Sequence, residues 1–185
     1  MRDEKSELTA RIQAYSGSPS ENLYGSDLSE EFISLGYDLF LDKDKLKSKF
    51  ITANIFDPDS ALMKQLANKV DIVHTSAFFH LFNLEDQLQI AKRVINLVRP
   101  RPGSLVIGRQ VGNINPSSIA RRSGSGTRYR HNDASWIKMW EQASQETGTS
   151  WKIEATLLDS SHFSNHTHLF TDEGLRILKY TMRLE

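Results

Sequence analysis

Cysteine is absent from the 185 residues. That absence excludes disulfides, thiolate catalysis and Cys-ligated zinc together, and it fits a reducing compartment. An excess of either charge is also lacking, since 23 Lys and Arg balance 23 Asp and Glu. Nucleic-acid binders normally carry a basic surplus, so no nucleic acid is expected as a partner. No apolar run approaches the length of a membrane span, and Met1 to Ala10 are charged where a secretory signal would be apolar. The expectation is a soluble cytoplasmic protein with no membrane partner. What remains is ordinary: 38% hydrophobic and 25% charged residues in a length that suits one domain.

Periodicity divides the chain into alternating elements. Asp3 to Tyr15 reads as a polar helix, ended by Ser16-Gly17-Ser18-Pro19-Ser20. A short strand is expected at Asn22 to Tyr24, then a helix from Ser29, a candidate cap, to Phe40. Phe50 to Ile55 reads as a strand, Ser60 to Asn68 as a short helix, and Val70 to Thr75 as a β-branched strand buried on both faces. A helix over Leu84 to Val98 precedes a second buried strand at Ser104 to Gly108. Val111 to Arg130, rich in Gly, Ser, Asn and Arg, reads as a loop with little regular structure. A helix from Asp133 to Glu146 and strands at Trp151 to Leu157 and Leu175 to Leu184 complete the chain.

Strands alternating with helices imply an α/β fold with a mostly parallel sheet. The last two strands have no helix between them, so they are expected to pair antiparallel at an edge. The whole chain, 1–185, is read as a single domain, with 1–20 as an N-terminal helix and linker.

Several segments, taken in order, carry a family resemblance. They are Tyr24-Gly25-Ser26-Asp27-Leu28, Glu31 to Phe40, Asp71-Ile72-Val73 leading to Phe79-His80-Leu81-Phe82, and Gly108 to Asn113. Gly124 to Thr127, Arg130-His131-Asn132 and Met139-Trp140 follow. As a set they resemble class I S-adenosylmethionine-dependent methyltransferases of fungal secondary metabolism, including those acting on meroterpenoids. The resemblance implies a Rossmann-like methyltransferase sheet. In that family a first strand and its Gly-rich turn hold the methionine end of the cofactor, because glycine lets the backbone come close. Nothing before Tyr24 reads as such a strand and turn, so an N-terminally truncated member with its first strand missing is expected. Asp27 stands where the family's acid holds the ribose, and Asn54 where many relatives have Asp near the adenine. Both are read as vestigial, and no cofactor is expected.

The candidate site follows from strand ends, which face the ligand crevice of an open α/β sheet. His80 lies among Phe78, Phe79 and Phe82 after a strand, and its ordinary pKa suits acid, base or donor roles. Its packing reading is a core histidine. Arg109 and Gln110 follow the next strand and are expected to point into the same crevice as donors to a carbonyl or carboxylate. With His131 they form the candidate catalytic set. Phe78, Phe79, Arg130, Asn132, Trp136 and Trp140 are the candidate substrate-binding residues, although Asn132 or Asp133 also suits a helix cap. Gly124-Ser125-Gly126-Thr127 lacks the strand and Lys of a phosphate loop. His162, His166 and His168 have metal-like spacing without an acidic partner, so no metal is expected.

Two functions fit this sequence. The first is a cofactor-independent cyclase or isomerase, such as a Diels–Alder pericyclase, acting on an apolar secondary metabolite. The second is a truncated or degenerate methyltransferase, inactive or acting as a partner subunit, for which S-adenosylmethionine would be the cofactor. A homodimer is expected, because loss of a central strand leaves backbone groups to be covered.

Overall fold

The structure, a computed structural model, describes residues 5–121, 124–158 and 173–185. Its contacts cluster into two compact units, Met1–Ala67 and Asn68–Glu185.

In the first unit, α1 (Lys5–Tyr15) leads to β1 (Tyr24–Asp27), α2 (Glu30–Phe40), β2 (Lys49–Thr52) and α3 (Ala61–Leu66). Strands β1 and β2 pair in parallel, from Tyr24 opposite Lys49 to Asp27 opposite Thr52. The first strand begins two residues later than expected because Ser20–Asn22 close a 3₁₀ turn. Ser29 occupies the N-cap of α2 but its side chain makes no capping bond. Instead its amide donates to the Asp27 carboxylate at 2.8 Å. Ser60 does cap α3, accepting from the Met63 amide.

A charge is buried in this unit and is paired. Arg11, 7% exposed, donates to Asp42 at 2.7 Å. Its guanidinium lies 4.8 Å from the Phe40 ring centre and 5.0 Å from that of Phe50. Pairing and aromatic contact together offset the desolvation that an isolated buried charge would suffer.

The second unit holds a four-stranded sheet in the order β3-β4-β8-β7, formed by Ile72–Ser76, Leu105–Asn113, Leu175–Leu184 and Trp151–Leu158. β3 and β4 are parallel, and β8 runs antiparallel to both β4 and β7, the antiparallel pairing of the last two strands that the sequence led one to expect. Side chains alternate along each strand. One face presents Val106, Gln110, Leu178, Tyr180 and Met182, all buried, on the side of α4 (Leu84–Leu97) and α5 (Asp133–Thr147). Trp136 of α5 stacks on Tyr180 with ring centres 4.4 Å apart. Gly108 is required where β4 passes β3, since a Cβ there would stand 1.9 Å from the Thr75 carbonyl oxygen.

Two expectations fail here. β3 is not buried on both faces: Ile72 is 56% exposed. The Leu105 amide donates to the Asp71 carbonyl and the Ala77 amide to the Arg109 carbonyl. The odd-numbered residues of β3 therefore turn their backbone to β4, and those of Ile72, His74 and Ser76 face an edge that pairs with no described strand. The stretch 111–130 is not irregular. β4 continues to Asn113, and β5 (Ser117–Ala120) pairs with β6 (Thr127–Arg130) as an antiparallel hairpin. Gly124 and Gly126 adopt positive φ in its turn, which other residues resist.

Candidate functional site

The chain leaves β3 through Ala77, whose φ of 53° reverses its direction, and enters a 3₁₀ turn at Phe79–Leu81. Phe79 is wholly buried, with its ring 5.1 Å from Trp136 and 6.1 Å from Trp140. Phe78 packs edge-on against Phe79 at 5.9 Å and Phe82 at 5.3 Å. Half-buried His80 donates its amide to the Gln110 side-chain oxygen at 3.1 Å. The Gln110 amide nitrogen is buried and has no hydrogen-bond partner among the described residues. Gln87 of α4 donates to the carbonyls of Phe82 and Tyr129, both at 2.9 Å, and so ties the aromatic turn to β6.

His131 ends the β6 segment and is fully buried. Its ring lies 4.7 Å from Tyr129 and 5.4 Å from Trp136, and Nδ1 meets the Ser135 hydroxyl at 2.9 Å. Burial pushes its pKa down to about 4, against a smaller upward effect from Ser135, so the ring is neutral at pH 7. Nε2 is buried without a partner among the described residues. Asn132 is the cap of α5. It accepts from the Ser135 amide at 2.8 Å, and the Ser135 hydroxyl accepts from the Asn132 amide at 3.0 Å. Asp133 is the first helical residue, not the cap. Arg130 is buried at the end of β6, and Trp136 and Trp140 are wholly enclosed.

Arg109 does not join Gln110. Adjacent residues of a strand point to opposite faces, and Arg109 is exposed on the face away from α4 and α5. It stands opposite Ser76 on one side and Lys179 on the other. There it holds down the pKa of His74, after the larger effect of burial. The structure thus gathers Phe78, Phe79, His80, Gln110, His131, Trp136 and Trp140 and leaves Arg109 outside. Sequence reading missed Gln87 and Tyr129. The signal for Gln87 was a polar residue on the stripe Gln87, Ile90, Ala91 and Val94 that α4 buries.

The cofactor residues lie in the first unit. Asp27 ends β1 and spends one carboxylate oxygen on the Ser29 amide, while the Asn54 carbonyl accepts from the Phe56 amide at 3.0 Å. Asp27 keeps a second oxygen and Asn54 its amide group, which suits a nucleoside end. No described strand passes through a Gly-x-Gly turn into a helix. Gly25 lies within β1 against the Phe50 ring, and Gly124 and Gly126 join two strands. The described residues therefore do not fit a whole S-adenosylmethionine. No group of three or more metal-binding side chains occurs among the described residues, and His162, His166 and His168 lie outside them.

This arrangement defines the class I methyltransferase fold, and solved structures agree. The [4+2]-cyclase SpnF matches with a TM-score of 0.61 at 7% identity, covering 96% of this chain and 72% of its own. A S-adenosylmethionine-dependent methyltransferase from Clostridium acetobutylicum matches with a TM-score of 0.54 at 14% identity, covering 87% and 74%. At such identities they show the fold alone. In sequence the chain is similar to methyltransferases of fungal secondary metabolism. It is 44% identical to the O-methyltransferase phiE of Fungal sp. over 83% of its own length and 51% of phiE. It is 40% identical to the methyltransferase adrK of Penicillium roqueforti over 92% of its length and 60% of adrK. The chain thus spans between half and three fifths of the length of these relatives. No family model matches it.

Proposed function

We propose that these residues serve methyl transfer to a small apolar metabolite, and that the glycine turn for the methyl donor comes from outside the described residues. The observation carrying this reading is the open edge of β3. A parallel strand whose Ile72, His74 and Ser76 backbones face no described strand has the form of an internal strand lacking a neighbour. Sequence identity of 40% or more to phiE and adrK, both named methyltransferases, supports the same reading. Phe78 and Phe82, partly exposed beside the buried Phe79, offer an apolar wall for a substrate, with His80 at its rim. S-adenosylmethionine would supply the methyl group.

The test is a graft. A strand and Gly-x-Gly turn of the kind the family resemblance implies, joined ahead of Lys5, are expected to confer saturable binding of S-adenosylhomocysteine that Asp27→Ala removes. A folded graft that binds none would sink the reading. Cofactor-free cyclisation or isomerisation is the second reading. It draws on the position of His80, Gln110 and His131 in the unit that holds neither Asp27 nor Asn54. Conversion of a metabolite without methyl donor, lost in folded His80→Ala, would establish it.

A further inference from the structure

The sheet face opposite α4 and α5 has an unusual charge. Register and alternation place Arg109, Lys179, Arg183 and Lys152 on it, with Glu154 as the carboxylate among them. Lys152 already holds Glu154 at 2.9 Å. Arg109 and Lys179 are direct cross-strand neighbours, and like charges so placed destabilise a sheet. Neither has an ion pair among the described residues. Between the cations lie apolar side chains: Ile107, Ile177 and Leu158 line a shallow depression of about 490 Å³ with His74, Arg109 and Lys179. A chain with no net charge has gathered cations on one half-apolar surface.

Helix α2 presents the complement. Leu35 and Leu39 are 53% and 67% exposed, and Leu28 just before the helix is 71% exposed. Glu31 and Asp38 are exposed at helical spacing with Leu35, four and three residues away. The helix has no Lys or Arg, and Glu30 adds a third carboxylate. An apolar stripe flanked by acids matches an apolar floor flanked by bases.

We infer that the basic sheet face docks α2 of a second copy of this chain. Each copy carries both surfaces, so the sheet face of one copy receives α2 of another. The inference does not rest on the proposed function and concerns assembly, not turnover.

Charge reversal tests it in sedimentation velocity at micromolar concentration. Wild type is expected to be dimeric and to dissociate as salt rises. Arg109→Glu with Lys179→Glu is expected to weaken the dimer roughly tenfold or more, and Glu31→Lys with Asp38→Lys to do the same. Mixing the two variants pairs opposite charges whichever of them supplies the sheet face and should restore dimers, as should combining all four substitutions in one chain. Circular dichroism checks folding, and Leu35→Asp is a second, apolar probe expected to give monomers. A monomeric wild type, or a dimer indifferent to the charge reversals and to Leu35→Asp, would overturn the inference.

Discussion

His131 shows how burial alone sets a residue's chemistry. Its ring is enclosed by Tyr129 and Trp136, and its pKa falls from the usual 6.5 to about 4. The unfolded chain takes up the proton first, so this contribution to stability is intact above pH 6.5 and is lost as pH falls toward 4. Over that window it amounts to about 3 kcal/mol. Denaturant unfolding of wild type and His131→Asn across pH 4 to 7 should therefore converge at the acid end. Parallel curves would show that the histidine is not buried neutral. His80 differs, being half-buried with its amide fixed by Gln110. If it contacts a substrate oxygen in the transition state, His80→Ala should lower turnover about 10²–10³-fold while leaving the melting temperature nearly unchanged. A large loss of stability with unaltered turnover per folded molecule would make it a packing residue.

At the scale of elements, the strands show what was legible in sequence and what was not. β8 was readable to the residue because Leu178, Tyr180, Met182 and Leu184 alternate against the helices. α5 was readable from its aromatic stripe, but its cap was not, since Asn132 and Asp133 are both good caps and only geometry separates them. The β5–β6 hairpin was invisible because Thr127-Arg128-Tyr129-Arg130 has no apolar alternation and its pairing is set by a glycine turn. Arg109 was misplaced for a related reason: strand β4 runs five residues beyond Gly108, where the sequence reading ended it, so Arg109 and Gln110 lie within a strand and diverge. Gly108 in that strand carries a prediction. A Cβ would meet the Thr75 carbonyl and the Tyr180 hydroxyl, so Gly108→Ala should destabilise the protein by about 3 kcal/mol, at the upper end of overpacking. A thermal melt within a degree of wild type would show that β3 and β4 do not approach so closely.

At the scale of the molecule, family and fold were legible because the matching segments occur in order over most of the chain. The distribution of chemistry was less so. The aromatic turn, Gln110 and His131 belong to the second unit, and Asp27 and Asn54 to the first. Sequence gives no sign of how contacts partition, since no linker of Gly, Pro or Ser marks the step from Ala67 to Asn68. Among the described residues no strand runs through a Gly-x-Gly turn into a helix, and one edge of β3 pairs with no described strand. The central claim is that the described residues offer S-adenosylmethionine a nucleoside end and no cradle for the methionine end. Calorimetric titration of the 185-residue chain with S-adenosylhomocysteine tests this most directly. No saturable heat is expected up to millimolar ligand, and saturable micromolar binding that Asp27→Ala abolishes would contradict that claim.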